Sequence, residues 1–195
     1  MKAYYEARAP EYDDWWNGAG LFTDRDRSGF AEERAAVLDA LERMNPARTL
    51  DVACGTGFLT RHLPGRITGV DQSPTSLQIA AERLPEAVLV EADVPPLPFP
   101  DRSFERVFSS HYYGHLEQSA RLAFPAEARR VASELVVLDA SIEHSPVAAE
   151  WQPRVLNDGS RWEVYKRYFS PESLLAELGG GETLFAGHWF VVVRA

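Results

Sequence analysis

The chain has 195 residues, 45% hydrophobic and 25% charged, with a formal net charge of −9; that predicts one soluble globular domain with a substantial core, and an acidic surface weighs against nucleic acid as substrate. No run approaches the ~20 apolar residues of a membrane span, and the first residues, Met1 to Glu6, carry no apolar secretory core. The single cysteine, Cys54, excludes an internal disulfide and a cysteine-based zinc cluster, so the cytoplasm is the expected compartment.

Residues 1–28 interleave Tyr4, Tyr5, Tyr12, Trp15, Trp16 and Phe22 with Glu6, Arg8, Glu11, Asp13 and Asp14. The pattern predicts short irregular helices with aromatic anchors, either packed on the domain or closing over a pocket as a lid. Ser28 can cap a helix over 29–44, whose apolar face is Phe30, Val37, Leu38 and Leu41. A first strand over 48–53 runs into Cys54-Gly55-Thr56-Gly57, and a short helix over 58–63 stops at Pro64-Gly65. The second strand ends in Asp71. Ser73-Pro74 then starts a helix with a capping serine and proline at its first position.

A third strand over 87–90 leads to Glu91-Ala92-Asp93. A fourth, over 104–109, opens into Ser110-His111-Tyr112-Tyr113-Gly114-His115. Residues 118–132 read as a helix that Pro125 must kink or restart. The stretch 135–139 is the most apolar strand, expected to be buried on both faces. Residues 141–169 show no clean periodicity. Ser170-Pro171 repeats the capped helix start, Gly179-Gly180-Gly181 ends that helix, and 183–195 reads as a closing hairpin.

Strands alternating with helices predict an α/β fold of the doubly wound, Rossmann-like type, with a mostly parallel seven-stranded sheet and an antiparallel C-terminal hairpin strand. Within one domain, 1–28 would be the aromatic arm, 29–140 the cofactor-binding core, 141–169 a cap, and 170–195 the closing helix and hairpin. Ligands of such sheets sit at the carboxyl ends of strands. The glycine turn, Asp71, Asp93 and the 109–115 loop all lie there, which predicts one shared site. Turn amides at a helix start suit an anionic group, an acid ending the second strand suits ribose hydroxyls, and an acid after the third suits an exocyclic amine. Together they describe an adenosine-containing ligand. A dinucleotide fingerprint needs a third small residue where Thr60 stands, and no Gly-Lys-Ser/Thr follows for a phosphate loop.

The segments Leu50 to Gly57, Val70 to Pro74, and Glu91 through Leu97-Pro98-Phe99 to Val107 resemble, in order and spacing, the motifs of class I S-adenosylmethionine-dependent methyltransferases. The third of these segments resembles the block typical of the small-molecule branch, which includes the quinone-biosynthesis (ubiquinone and menaquinone) methyltransferases. The resemblance covers about residues 46–140. It implies methyl transfer from S-adenosyl-L-methionine, with S-adenosyl-L-homocysteine as product. It also implies that Asp51, Ala53, Gly55, Thr56 and Gly57 shape the methionine end, and that Asp71 holds the ribose with Gln72 beside the adenine. Asp93 would bond the adenine amine with Val94 packing on the ring, Ser109 would sit near the methionine moiety, and Ala92 and Tyr12 are further expected cofactor-binding residues. Ala53 stands where the family commonly has Gly, which is comfortable only if its φ is negative.

In-line methyl transfer asks the protein mainly for alignment and dryness. An acceptor that carries a proton also needs a base, and His111 and His115 are the candidates; a loop histidine is also often a structural hydrogen-bonding residue. No metal site is expected, because His111-x-x-x-His115 lacks a third ligand. Tyr5, Trp15, Trp16, Tyr113 and Trp151 are the expected substrate-pocket aromatics, selecting a small planar or apolar molecule. The expected partner is therefore a small-molecule substrate, with no nucleic acid and no membrane, and a monomer or homodimer suffices. The rival readings are an NAD-type oxidoreductase and a binding module that holds the cofactor without catalysis.

Overall fold

The computed structural model describes residues 2–195. The elements in chain order are helices α1 (Lys2–Arg8), α2 (Asp14–Asn17) and α3 (Phe30–Glu42), strands β1 (Ala47–Val52) and β2 (Gly65–Asp71), helix α4 (Pro74–Arg83), strands β3 (Val88–Glu91) and β4 (Arg106–Ser110), helix α5 (Gln118–Val131) and strand β5 (Glu134–Ala140). Then come the paired strands β6 (Ala149–Val155) and β7 (Arg161–Arg167), helix α6 (Pro171–Leu178), and strands β8 (Glu182–Ala186) and β9 (Phe190–Arg194). Seven strands form one sheet in the order β3-β2-β1-β4-β5-β9-β8, and β6 and β7 form a separate antiparallel ribbon. The pairs among β1 to β5 are parallel, while β9 runs antiparallel to both β5 and β8. This is the doubly wound α/β sheet that the alternation of elements predicts.

The central strands are apolar throughout because both faces are covered. In β5, Leu135 and Val137 join the core under α5 and α6, while Val136 and Leu138 join a second core with Phe30, Val37 and Leu41 of α3. In β9, Val191 and Val193 go to the first core, and Phe190 and Val192 to the second. Thus one strand feeds two cores through its period of two.

Local departures from expectation have identifiable causes. Gly29, with φ of 76°, takes the N-cap of α3 instead of Ser28. The helix expected over 58–63 is only a 3-10 turn at Thr60–His62. α5 runs unbroken through a buried Pro125, missing only the bond that this residue's nitrogen would have given Arg121, so the expected restart does not occur. Ser73 caps α4 by accepting from the Ser76 amide, and Ser170 closes a capping box on α6. The largest difference is β6–β7, in the stretch that shows no clean periodicity. Its turn, Asn157-Asp158-Gly159-Ser160, contains the Asp-Gly pair that marks hairpins. Its inward positions alternate as Trp162, Val164 and Lys166.

Candidate active site

The carboxyl ends of β1, β2 and β4 and the N-terminal arm enclose two adjoining cavities of about 210 and 220 Å³. The first is built on the glycine turn. Gly55 and Gly57 have φ of 54° and 73°, a left-handed backbone that glycine adopts without strain. A Cβ on Gly57 would lie 2.8 Å from Leu84 Cδ1, so this glycine lets the turn seat against α4. A Cβ on Gly55 would meet nothing within 4 Å, so the backbone there faces open cavity. Asp71 binds the turn: Oδ2 accepts from the Gly55 amide at 2.9 Å and Oδ1 from the Ser73 amide at 2.9 Å. Burial raises its pKa against these hydrogen bonds. Gln72, Ser76, Val94, Tyr112 and Leu116 complete this wall.

Ala53 also lines this cavity, but with φ of 60°. The negative φ that would suit alanine is therefore not what the turn requires, and the residue carries backbone strain. His111 is held at φ of 50°, again left-handed, directly after β4. Asp51 is buried inside the fold and does not reach the cavity wall. Its Oδ2 accepts from the Thr60 hydroxyl at 2.6 Å, and its Oδ1 has no partner. Burial pushes its pKa up to about 7.

The arm is fastened to this cradle by two carboxylates. Asp13 accepts from Thr56 Oγ1 at 2.6 Å and from Arg83 Nη2 at 2.6 Å, while Arg83 also donates to the Thr56 carbonyl at 2.8 Å. Glu6 accepts from Ser73 Oγ at 2.6 Å and from the hydroxyl of Thr75, at the first turn of α4, where the helix dipole favours a negative charge. Those hydrogen bonds hold its pKa below the usual value. Tyr5 and Tyr12 of the arm line both cavities, as do His111 and His115.

The second cavity lies between the arm, β5, the β6–β7 ribbon and Trp189. Arg8, Arg25, Arg154, Lys166 and His144 are in its walls, together with Trp15 and Tyr168. Lys166 Nζ sits 2.5 Å from Asp139 Oδ1, and both are buried. Asp139 Oδ2 also accepts from the Gly114 amide at 2.7 Å. The Lys166 ammonium holds the Asp139 carboxylate below its usual pKa despite burial. His115 Nδ1 lies 2.6 Å from the Tyr165 carbonyl; a carbonyl only accepts, so this nitrogen carries the proton and Nε2 carries a lone pair. Burial, then the Lys166 charge, pushes the His111 pKa down to about 3 and that of His115 well below its usual value. Both rings are neutral at pH 7.

Several expected site residues lie elsewhere. Trp16 is a core residue, stacked on Phe58 at 5.2 Å and on Phe190 at 5.4 Å, and it reaches neither cavity. Tyr113 is fully buried against Phe124 and Phe169, and its hydroxyl donates to Glu177; its neighbour Tyr112 takes the cavity wall. Ser110, His111 and Tyr112 line the cavity consecutively, so strand alternation does not govern this loop. Trp151 is 55% exposed on the outer face of β6, where Gln152 and Arg154 point inward. Ser109 is buried in β4 with a partnerless hydroxyl, and Ser110 lines the cavity. Thr56, Gly57, Ala92 and Asp93 surround the cradle without lining it, and Asp93 is exposed. Sequence reasoning missed Arg8, Arg154, Lys166 and Asp139. The alternation of Gln152 and Arg154 with Trp162, Val164 and Lys166 was the signal that could have found two of them, Arg154 and Lys166. Among the described residues, no group of three His, Cys, Asp or Glu is placed to hold a metal, and no helix is long and apolar enough to cross a membrane.

Residues 50–148 match the profile of a methyltransferase domain. The demethylmenaquinone methyltransferase of Thermotoga maritima is 35% identical over 114 residues, which is 54% of this chain and 49% of that protein. The chain thus spans about half the length of that relative. Among solved structures, a DhpI-SAM-HEP complex superposes with a TM-score of 0.77 at 26% identity, covering 98% of this chain and 94% of the other. A DhpI-SAH complex gives a TM-score of 0.73 at 26% identity, covering 99% and 93%.

Proposed function

The chain belongs to the methyltransferase-domain family, and from that premise we propose that it moves a methyl group from S-adenosylmethionine to a small molecule held in the second cavity. The observation that carries this reading is the pair of cavities sharing a border of Tyr5, Tyr12, His111 and His115. One is a cradle of turn backbone and an acid, and the other is a chamber walled by side chains.

The cradle suits this cofactor. Open backbone at Gly55 and Ala53 receives the methionine end. Asp71 keeps lone pairs free for ribose hydroxyls beyond the two amides that it accepts. Gln72 and Val94 flank the adenine, and Tyr12 covers the junction. The partnerless Oδ1 of Asp51, near the end of β1, remains an unused acceptor. Bound there, S-adenosylmethionine supplies a methyl carbon on a sulfonium leaving group. The chain supplies alignment and exclusion of water, which the pinned arm provides.

For an acceptor that carries a proton, His115 is the better base of the two, because its Nδ1 is tied to Tyr165 and leaves Nε2 as the accepting nitrogen, whereas the partnerless Nε2 of His111 is buried. The acceptor is a small molecule because the chamber is compact, about 220 Å³, a space that suits a small molecule and not a nucleic-acid strand. Every wall comes from one chain, so a monomer or homodimer suffices, and the lone buried thiol suits the cytoplasm.

Titration calorimetry with S-adenosylhomocysteine and with NAD tests the reading, alongside transfer of labelled methyl to small acceptors. Binding of S-adenosylhomocysteine alone is expected. NAD binding without it would overturn the proposal in favour of an oxidoreductase. Cofactor binding with no transfer to any acceptor would reduce the protein to a binding module.

A further inference from the structure

We infer, resting on the methyl-transfer reading above, that the acceptor carries an oxyanion, a carboxylate or a phosphoryl group, gripped by Arg8 and Arg154 in the second cavity, and that this oxyanion itself takes the methyl. The juxtaposition behind this is two arginines of the cavity wall with no acid between them. Arg8 comes from the arm and Arg154 from β6. Arg8 donates to the Tyr4 hydroxyl at 2.8 Å and lies 5.3 Å from the Tyr12 ring centre. Arg154 donates only to Gln152, and its Nε is buried without a partner. Among the described residues, neither makes an ion pair and no carboxylate lines this cavity.

Elsewhere in the fold, half-buried Arg27 and Arg34 also lack an acid and donate to backbone carbonyls, whereas other covered arginines have a carboxylate. Arg106 pairs with Glu134, Arg121 with Glu177 and Arg83 with Asp13, at 3.1, 2.9 and 2.6 Å. Lys166, in the same cavity, has Asp139. The chain holds 29 acids against 20 lysines and arginines, so counterions are not scarce. A covered guanidinium left without one costs free energy. Burial and then the charge of Arg8 already weigh on Arg154, whose pKa is lowered. An oxyanion between the two relieves both, and the planar fork of each arginine matches its two oxygens. Trp15, Tyr168 and Trp189 leave flat apolar walls for the rest of the acceptor.

Such an acceptor also removes the need for a strong base. His111, with its pKa held near 3, accepts protons poorly. An oxyanion has no proton to lose. One of its oxygens donates an electron pair to the methyl carbon, the carbon–sulfur bond breaks, and its electrons return to sulfur. The products are a neutral thioether and a methyl ester carrying one negative charge fewer than the acceptor.

The test uses the full chain saturated with S-adenosylhomocysteine. A short carboxylate and a short alkyl phosphate are titrated beside their neutral amide and alcohol analogues. At least one anion is expected to bind ten-fold or more tightly than its analogue, and which one tells carboxylate from phosphoryl. Arg154→Gln should weaken that anion ten-fold or more with cofactor affinity unchanged, and Arg154→Lys should recover part of the loss. With labelled S-adenosylmethionine, the product should be the methyl ester of the bound anion. Methylation of a neutral phenol or amine with neither anion bound overturns the inference, as does an Arg154→Gln protein that binds the anion like the parent. Unaltered thermal unfolding of the variant excludes misfolding. Loss of cofactor binding in the parent chain would instead sink the methyl-transfer reading itself.

Discussion

The two cavities have similar volumes, about 210 and 220 Å³, but they are made differently. The first rests on consecutive backbone: a turn over 53–57, the carboxylate that ends β2, and the amides at the start of α4. The second is assembled from side chains of the arm, β5, the β6–β7 ribbon and Trp189, segments that lie far apart in the chain, from Tyr4 to Trp189. The first sets a shape that few residues besides glycine can make. The second can be rewritten one side chain at a time without touching the sheet. That division lets a shared cradle serve different acceptors.

The comparison can be broken most severely at the buried pair of the second cavity. Lys166→Met leaves Asp139 charged and uncompensated in the interior, and should cost about 3–5 kcal/mol of stability by denaturant titration. A loss below 1 kcal/mol would mean that the pair is not what holds this cavity's wall. In the cradle, Asp71→Asn keeps the side chain's shape but exchanges one accepting oxygen for a donor facing an amide. Affinity for S-adenosylhomocysteine should fall by about 2 kcal/mol, roughly 30-fold, with acceptor binding less affected.

Acid titration separates the cavities more gently. The folded pKa of His111 is about 3 against ~6.5 unfolded, so in that window the unfolded chain binds the proton and the folded chain does not. The resulting stability is complete above about pH 6.5 and is lost as pH falls through the window, on the order of 1 kcal/mol per pH unit. His115 acts in the same direction. Asp51, raised to about 7, acts oppositely, favouring the fold as pH falls from about 7 towards 4. His111→Asn tolerates the left-handed backbone and should flatten the acid limb, as read by unfolding midpoints from pH 7 to pH 5. An unchanged limb would assign the loss to other groups. The smallest effect is a gain: Ala53→Gly removes the strain at φ of 60° and should stabilise the protein by about 0.5–1 kcal/mol after glycine's unfolded-state entropy is counted.

The same division explains what was legible in the sequence. The cradle and the sheet were readable because their signals are local. Gly55-Thr56-Gly57, Asp71 at a strand end, and the Ser-Pro starts at 73–74 and 170–171 each state their geometry within a few residues. The second cavity was not, because its polarity runs against the usual pattern. In β6 and β7 the inward positions include Gln152, Arg154 and Lys166 while Trp151 faces out, so a search for apolar alternation finds none. Trp16 and Trp15 are adjacent aromatics of one short helix, yet one fills the core and the other the cavity. Only the packing of Phe58 and Phe190 decides which. Tyr112 and Tyr113 follow β4 in a loop where Ser110, His111 and Tyr112 all line the cavity, so strand alternation does not assign them.

The carboxylates of Glu6 and Asp13 tie the arm to Ser73, Thr75, Thr56 and Arg83, and the same arm brings Tyr5 and Tyr12 to the border of both chambers. Lifting the arm would therefore break these bonds together and widen both spaces at once. On the methyl-transfer proposal, exchange of the cofactor and of the acceptor is then coupled through this one segment, and residence time becomes a joint property of both molecules, set where neither of them reacts.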